Sequence, residues 1–151
     1  VFIPMCALNK VKGMGLIMSD QELLEFGKKY MEDVGGFIRY NQYRLVDIKK
    51  DYCVMDADIR EESLNYYGVV HGGFIFGLAD TACGVAARAT GRKAVTVNSH
   101  IEYLHAARGS KIKVVVNAIK TGRNISVYEA DIYDDQDVMV AKAVMDYFYI
   151  D

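Results

Sequence analysis

The stretch Tyr67–Arg88, with the sequence YGVVHGGFIFGLADTACGVAAR, decides the fold. From Gly73 to about Ala89 it is predicted to form one helix, because apolar residues recur along it at helical spacing. One stripe consists of Phe74, Leu78, Ala82, Val85, Ala86 and Ala89, and further apolar residues cover most of the remaining helix surface. A helix that is apolar on all sides is a buried one. The rest of the chain is therefore expected to pack around it.

A single carboxylate, Asp80, lies near the middle of this helix, and the nearest charged residue of the helix is Arg88. Burying an ionised carboxylate is very costly unless the group is hydrogen-bonded or paired, so such a group is often functional. We interpret Asp80 as a candidate catalytic group that needs hydrogen bonds in order to stay ionised. The alternative is a structural carboxylate that caps a backbone group or pairs with Arg88 across a dimer.

The sequence His71-Gly72-Gly73 lies at the start of the helix. Two glycines let a substrate approach the backbone closely, and the first N–H groups of a helix have no intrahelical acceptor. The positive end of the helix dipole makes Gly72 N–H suitable for a developing oxyanion. Close packing of the helix is the other explanation for the glycines, and a simple cap is the other explanation for His71. No metal is expected, because no cluster of His, Cys and carboxylate residues accompanies His71.

The spacing of these two groups predicts a site that is shared between subunits. Gly72 and Asp80 are eight residues apart, which corresponds to roughly 12 Å along a helix axis. A reacting carbonyl carbon must lie about 3 Å from both the nucleophile and the oxyanion donors, so one copy of the helix cannot supply both. A two-fold axis that brings Asp80 of one chain to Gly72 of another also brings Gly72 of the first chain to Asp80 of the second. Such a dimer contains two complete sites. A homodimer is expected, and pairing of dimers into a homotetramer is expected as well.

These residues carry a family resemblance. The motif Asn65-x-x-Gly68-x-x-His71-Gly72-Gly73, followed by Leu78-Ala79-Asp80-Thr81, resembles the signature of hotdog-fold acyl-CoA thioesterases. The similarity is greatest to the phenylacetate-pathway (PaaI-like) branch of the 4-hydroxybenzoyl-CoA thioesterase superfamily, and it runs from about Tyr43 to the C-terminus. It implies an α+β hotdog fold, in which an antiparallel β-sheet wraps around a long central helix.

The chain before the central helix is predicted to contain one helix and a strand region. Ser19 and Glu22 form a capping box, and an amphipathic helix is predicted to follow until Gly35-Gly36. From Tyr43 the period shortens to two, which is typical of half-buried strands, and Arg60–Val70 is predicted to be a loop. We expect residues 1–18 to be an N-terminal extension and residues 19–151 to be one hotdog domain.

The chain after the central helix is predicted to form four strands. In the first, Val95, Val97, Ser99, Ile101 and Tyr103 are assigned to one face, and Thr96, Asn98, His100 and Glu102 to the other. Strands at Lys111–Lys120, Ile125–Tyr133 and Val138–Ile150 follow. Turns at 106–109, 121–124 and 134–137 separate the strands. Because short turns join antiparallel neighbours, these strands are expected to pair in their sequence order.

The resemblance implies an enzyme that hydrolyses an acyl-CoA thioester to a carboxylic acid and free coenzyme A. Asp80 would be general base or nucleophile, and Gly72 N–H, aided by His71, would hold the carbonyl oxygen. By the same resemblance, Asn65 would hold the attacking water, and Thr96 would lie near this water or the leaving thiolate.

The resemblance also implies a coenzyme A contact at Gly122-Arg123-Asn124, with Gly73 as a further contact. Coenzyme A carries phosphates that need cations and free N–H groups, for which other Lys and Arg residues are alternatives: Arg92, Lys93, Arg108 and Lys111. Because coenzyme A is part of the substrate, no separate cofactor is expected. Phe74, Phe76, Tyr66 and Tyr67 are candidates for an acyl pocket, although core packing explains aromatic residues equally well. Phenylacetyl-type, other aromatic, medium-chain and long-chain acyl groups all stay open.

Two other functions stay open at the level of sequence. A hotdog hydratase or dehydratase would also use a His and an acid on an acyl thioester. A non-catalytic acyl-CoA-binding module would bind the same ligand, but it has no need for a carboxylate such as Asp80 facing the thioester carbon.

Composition restricts the partners and the cellular context. The net charge of the 151-residue chain is −2 and no block of basic residues occurs, so a nucleic-acid partner is not expected. Cys6, Cys53 and Cys83 are widely spaced, which favours free thiols in a reducing cytoplasm. No apolar run reaches the roughly 18 residues of a membrane span, and Val1–Gly13 does not have the pattern of a signal peptide. A cytoplasmic protein without a membrane partner is expected.

Overall fold

The computed structural model describes residues 18–33 and 35–150. Within these residues the elements are, in chain order, α1 (Asp20–Asp33), α2 (Gly36–Asn41), β1 (Arg44–Lys49), β2 (Tyr52–Asp58), a 3₁₀ turn (Glu61–Ser63), α3 (Gly72–Arg88), β3 (Ala94–Tyr103), β4 (Lys111–Thr121), β5 (Ile125–Asp134) and β6 (Met139–Tyr149). The strands form one antiparallel sheet in the order β1-β2-β4-β5-β6-β3, and α3 packs against β2 to β6. The predicted α+β architecture, with its extra N-terminal helix, is confirmed.

The core lies between α3 and the inner face of the sheet. Strand β5 shows the pattern most clearly, because every second residue from Ser126 to Asp134 is buried. The fully buried side chains of the other strands include Met55 on β2, Val114 on β4 and Met145 on β6. On α3 the buried positions are mostly small residues such as Ala79, Ala82 and Ala86, which let the sheet approach the helix closely.

The N-terminal helix begins at the predicted capping box. Ser19 N–H donates to Glu22 Oε2 (2.8 Å), and Glu22 N–H donates to Ser19 Oγ (3.3 Å). The helix α1 ends at Asp33, close to the predicted stop. A second helix, α2, follows at Gly36–Asn41 and was not predicted. It is only six residues long, so the helical period has too few repeats to be recognised in the sequence.

The pairing of β3 differs from the prediction. β3 does not pair with β4, its neighbour in sequence, but with β6 at the far side of the sheet. The segment between β3 and β4 crosses the end of the sheet, where Leu104 and His105 donate backbone hydrogen bonds to Val140 and Ala107 is buried. The inference from a short connection to a hairpin was therefore wrong at this position.

A β-bulge also changes the predicted faces of β3. Thr96 lies opposite Tyr147 and Asn98 lies opposite Asp146, so Val97 is an extra residue between them. Because the bulge absorbs one residue, Thr96 lies on the inner face together with Ser99, Ile101 and Tyr103, whose partners on β6 are buried or nearly so. The predicted grouping of Thr96 with Asn98 is wrong, since strict alternation cannot account for an inserted residue.

The remaining predicted boundaries agree within one or two residues. The central helix begins at Gly72 rather than Gly73, and Ala89 is its C-cap. The predicted loop Arg60–Val70 contains the 3₁₀ turn and a β-bridge between Leu64 and Val70. The predicted extension at residues 1–18, with Cys6, lies outside the described residues except for Met18, and the predicted domain 19–151 is described at 19–33 and 35–150.

Candidate active site

Asp80 lies half-buried near the middle of α3, and two hydroxyl groups reach its carboxylate. Thr96 Oγ1 donates to Asp80 Oδ1 at 2.7 Å, and Tyr147 OH donates to the same oxygen at 2.9 Å. Tyr147 OH also donates to the backbone carbonyl oxygen of Asp80 at 2.6 Å, so its single proton is shared between the two oxygens. Within the described part of the chain, no group donates a hydrogen bond to Oδ2, so this oxygen is available to a substrate or a water molecule.

Both hydroxyl groups come from residues that face each other on two neighbouring strands of the sheet. Thr96 on β3 and Tyr147 on β6 are direct partners in the antiparallel ladder, and the side chains of such partners lie on the same face. The bulge at Val97 is what places Thr96, and not Val97, opposite Tyr147. Bulges are common beside active sites because they redirect a side chain in this way.

Within the described residues of one chain, the side-chain partners of Asp80 are neutral hydroxyl groups and not cations. Arg88 of the same chain donates to the carbonyl oxygen of Ala94 (3.3 Å), and the alternative that Arg88 pairs with Asp80 across a dimer stays a prediction. Hydroxyl donors bind a carboxylate without neutralising its charge. Such an arrangement keeps the carboxylate reactive as a base or nucleophile, whereas a salt bridge would reduce its reactivity.

The thiol of Cys83 is close to Asp80 in sequence but is not a candidate nucleophile. Cys83 is fully buried, and burial, reinforced by the negative charge of Asp80, raises the pKa of its thiol. Burial likewise raises the pKa of the Cys53 thiol. A thiol acts as a nucleophile in its thiolate form, which burial disfavours in both residues.

His71 is the N-cap of α3. Its Nδ1 accepts a hydrogen bond from Gly73 N–H at 2.9 Å, and its ring is exposed. Because Nδ1 is an acceptor, the proton of the neutral imidazole lies on Nε2. His71 therefore presents an N–H donor to the outside of the helix start, while Gly73 N–H is already occupied.

Gly72 is held by a tyrosine from the end of β3. Tyr103 OH donates to the carbonyl oxygen of Gly72 at 2.8 Å, and a Cβ atom at Gly72 would lie 3.1 Å from Tyr103 Cζ. No described residue accepts a hydrogen bond from Gly72 N–H. The helix start thus combines a free backbone donor with a carbonyl that is fixed in orientation.

Asn65 organises the loop before α3. Its Oδ1 accepts hydrogen bonds from the N–H groups of Tyr67 (2.9 Å) and Val69 (3.3 Å), and its backbone pairs with Val69 and Gly68. Only the amide NH₂ of the side chain is left for a ligand. The structure therefore gives Asn65 a clear local role in the loop, and its predicted contact with water stays a prediction.

The turn Gly122–Asn124 lies beside the end of β6. Tyr149 N–H donates to Asn124 O (2.9 Å), and Gly122 N–H is taken by Ile125 O (3.0 Å) and Ser126 Oγ. Arg123 and Asn124 are exposed. The turn therefore offers a cation and a side-chain amide, and it lies near the strand that carries Tyr147.

A cavity of about 600 Å³ lies elsewhere, between α1 and the C-terminal end of α3. Its walls include Phe26 and Tyr30 on α1, Val85 and Ala89 on α3, and neither Asp80 nor Gly72 borders it. The four predicted acyl-pocket residues do not come together in one chain. Phe74 is buried against Tyr43, whereas Tyr66 and Tyr67 are 97% and 84% exposed.

Neither a metal cluster nor a membrane-spanning helix was found in the described residues. No group of three or more His, Cys, Asp or Glu residues in 18–33 and 35–150 is arranged to hold a metal ion. None of the helices in this part of the chain is both long and apolar enough to cross a membrane.

Two tyrosines of this region could not be recognised as site residues from the sequence, Tyr147 at Asp80 and Tyr103 at Gly72. Each lies on a strand, and its sequence context does not distinguish it from an ordinary aromatic strand residue. The available signal was the register, because Thr96 and Tyr147 can be recognised as a pair only when β3 is known to lie beside β6.

Comparisons with known proteins find similar sequences and similar folds. The family model of the thioesterase superfamily matches residues 67–141. The acyl-coenzyme A thioesterase PaaI of Escherichia coli strain K12 is 26% identical over 98 residues, which cover 64% of this chain and 70% of that protein.

Two solved structures extend the comparison. The PaaI protein of the E. coli phenylacetic acid degradation operon has a TM-score of 0.82 at 21% identity, and the match covers 88% of this chain and 97% of that chain, which shows a shared fold. The protein smu.793 of Streptococcus mutans UA159, solved with bound acetyl CoA, has a TM-score of 0.69 at 30% identity, with 72% of this chain and 88% of that chain covered.

Proposed function

Because the chain belongs to the thioesterase superfamily and is a thioester hydrolase, we propose that it hydrolyses acyl-CoA thioesters to a carboxylic acid and free coenzyme A. The observation that carries this proposal is the carboxylate of Asp80, whose Oδ1 accepts two hydrogen bonds and whose Oδ2 accepts none from the described residues. The acetyl CoA bound to the S. mutans relative supports a coenzyme A ester as the ligand.

In the proposed reaction the carbonyl oxygen of the thioester lies on Gly72 N–H and on the Nε2–H of His71. Both donors then stabilise the negative charge that develops on this oxygen. Oδ2 of Asp80 takes a proton from a water molecule held by the Asn65 amide, and the hydroxide adds to the carbonyl carbon. The carbon–sulfur bond breaks, and the proton passes from Asp80 to the leaving thiolate.

The other role of Asp80 is direct attack, which forms an anhydride between its carboxyl group and the acyl group. A single turnover in ¹⁸O-labelled water tests for direct attack. Direct attack followed by hydrolysis of the anhydride at Asp80 leaves label in the protein, whereas general-base catalysis, like hydrolysis of the anhydride at the acyl carbon, puts label only into the acid product.

We propose that two copies of the chain share each site. The eight residues from Gly72 to Asp80 correspond to roughly 12 Å of helix, which is too far for one carbonyl carbon to meet both groups of one chain. β3 forms one edge of the sheet, and its exposed apolar residues Val95 and Val97 are suited to pairing with a second copy. Such pairing supports the assembly of Asp80 from one chain with Gly72 from the other.

The first experiment is release of free thiol from a panel of acyl-CoAs, with wild type compared with Asp80→Asn. We expect hydrolysis in the wild type and a loss of at least a hundredfold in the variant, because the amide can neither accept the proton nor attack. Binding without release across the panel would instead favour a binding module. Addition of water to an unsaturated acyl-CoA without thiol release would favour a hydratase.

Mixing two inactive variants tests the shared site. Gly72→Pro chains and Asp80→Asn chains should regain part of the activity when they exchange subunits, because a hybrid dimer contains one site with both native residues. Exchange is followed independently with chains of different mass. Full exchange without recovery contradicts the shared site but leaves the thioesterase proposal intact.

A further inference from the structure

Tyr147 contacts Asp80 at two atoms. Its hydroxyl oxygen lies 2.6 Å from the backbone carbonyl oxygen of Asp80 and 2.9 Å from Oδ1. Thr96 occupies Oδ1 as well, at 2.7 Å. One side of the carboxylate is therefore tied to the helix backbone and to the sheet, and its torsion is fixed.

We propose that Tyr147 is the positioning residue of the active site, whose hydroxyl holds Asp80 so that Oδ2 alone faces the thioester. The inference rests on the proposed function and adds to it the residue that orients the carboxylate. A fixed carboxylate avoids the cost of reorientation during the reaction, which is the contribution expected of a preorganised site.

The surroundings of Tyr147 suit this role. The side chain is 1% exposed and packs edge-on against Tyr128, with the ring centroids 6.0 Å apart and the planes at 83°. Because the ring is enclosed, its hydroxyl cannot follow a moving carboxylate and instead fixes its position. Burial, reinforced by the charge of Asp80, raises the pKa of the Tyr147 phenol, so it stays a donor at all ordinary pH values.

Three other titratable groups near the middle of α3 stay uncharged near neutral pH. Burial raises the pKa of these inward-facing thiols and phenol, namely Cys83 on the helix itself, Cys53 on β2 and Tyr128 on β5. Tyr103 on β3, whose pKa is also raised by burial, lies at the helix start. These groups therefore do not contribute to the acidic limb of the rate profile, and the ¹³C titration of the Asp80 carboxyl separates Asp80 from the exposed His71 of the proposed shared site.

The test compares Tyr147→Phe with the matched control Tyr128→Phe. Both substitutions remove one buried phenolic hydroxyl, but the hydroxyl of Tyr128 lies 3.3 Å from Asp51 and not at Asp80. We expect Tyr147→Phe to lower kcat about tenfold with little change in KM, and to move the acidic limb of the kcat profile upward. Tyr128→Phe should change thermal stability and leave the limb in place.

A second readout does not depend on turnover. The side-chain carboxyl carbon of Asp80, labelled with ¹³C and assigned through Asp80→Asn, is titrated by NMR in wild type and in both Phe variants. We expect its midpoint to move upward in Tyr147→Phe only, because one donor to the ionised form is lost. An unchanged midpoint in folded Tyr147→Phe, or an equal shift in Tyr128→Phe, overturns the inference. If the midpoint shifts but no acyl-CoA is hydrolysed, the result contradicts the proposed function and leaves the inference about Tyr147 intact.

A further variant keeps the ring and the hydroxyl, in case Tyr147→Phe does not fold. Site-specific 3,5-difluorotyrosine at position 147 is a stronger hydrogen-bond donor of nearly the same size. It should move the midpoint and the acidic limb downward, opposite to the direction in Tyr147→Phe. A shift in the same direction as Tyr147→Phe, or none, contradicts a positioning role.

Discussion

The phenolic hydroxyl of Tyr103 donates a hydrogen bond of 2.8 Å to the carbonyl oxygen of Gly72, so the last residue of β3 is joined to the first residue of α3. The aromatic ring also lies where a side chain at Gly72 would project, at 3.1 Å from the position of a Cβ atom. The absence of a side chain at Gly72 has two consequences. It leaves room for Tyr103 and it exposes the N–H that the proposed mechanism uses.

The first prediction concerns this contact. Gly72→Ala should lower kcat/KM about tenfold or more, because the methyl group displaces Tyr103 and tilts the peptide that carries the oxyanion donor. Tyr103→Ala in the same chain should recover part of the loss, since it removes the clash. The measurement is kcat/KM of the two single variants and the double variant on one acyl-CoA. A double variant with strictly additive losses would show that the clash is not the cause.

The second prediction concerns the hydroxyl of Thr96. Thr96→Val is nearly isosteric but removes the donor to Asp80, and we expect kcat to fall about tenfold. Thr96→Ser keeps the hydroxyl and should stay within about threefold of wild type. The pair is compared by kcat at saturating acyl-CoA and by thermal unfolding. If Val and Ser lower kcat equally, the methyl group and its packing matter, and the hydrogen bond does not.

The sequence predicted the elements of the site better than their arrangement. The helix around Asp80 could be recognised because its apolar period is long and uninterrupted, and the capping box at Ser19 because it is a local hydrogen-bond pattern. The contact of Asp80 with Tyr147 depends on two non-local facts, the position of β3 beside β6 and the bulge at Val97. Neither leaves a periodic signal, because a bulge interrupts the period and strand order is decided by packing across the whole sheet.

The third prediction separates Asp80 from its neighbour Cys83. Cys83→Ser and Cys83→Ala should keep kcat within about threefold of wild type, because burial raises the pKa of the thiol and disfavours the thiolate. In the native protein, Cys53 and Cys83 should also resist alkylation until the chain unfolds. Peptide mapping by mass spectrometry after a timed pulse of iodoacetamide measures this. Rapid alkylation of Cys83 in the native protein, with loss of activity, would instead support a mechanism in which this thiol is the nucleophile.

The fourth prediction concerns the exposed turn at Arg123. If its guanidinium contacts the phosphates of coenzyme A, Arg123→Ala should raise KM for an acyl-CoA several-fold and leave kcat unchanged, because a charge-assisted hydrogen bond is lost. A short thioester without the nucleotide should show no such change. Lys28→Ala, which removes an exposed cation from α1, is the control for net charge. Equal effects on both substrates would contradict the contact.

The last prediction uses the two edges of the sheet. Val97 on β3 and Val46 on β1 are each the extra residue of a bulge, each lies in an edge strand, and they are 54% and 45% exposed. If β3 pairs with a second copy, Val97→Lys should place like charges in the interface, release monomers and abolish the activity of the shared site. Val46→Lys makes the same substitution at the opposite edge and should leave both properties unchanged.

The mass of each variant in solution is measured by light scattering after gel filtration, alongside thiol release. Each variant adds one exposed lysine at an equivalent position of an edge strand. A difference in mass or activity between the two variants is therefore caused by which edge is changed and not by the added charge. Monomeric Val97→Lys with full activity would mean that one chain contains a complete site. If both variants are active dimers, the dimer interface is not formed by β3.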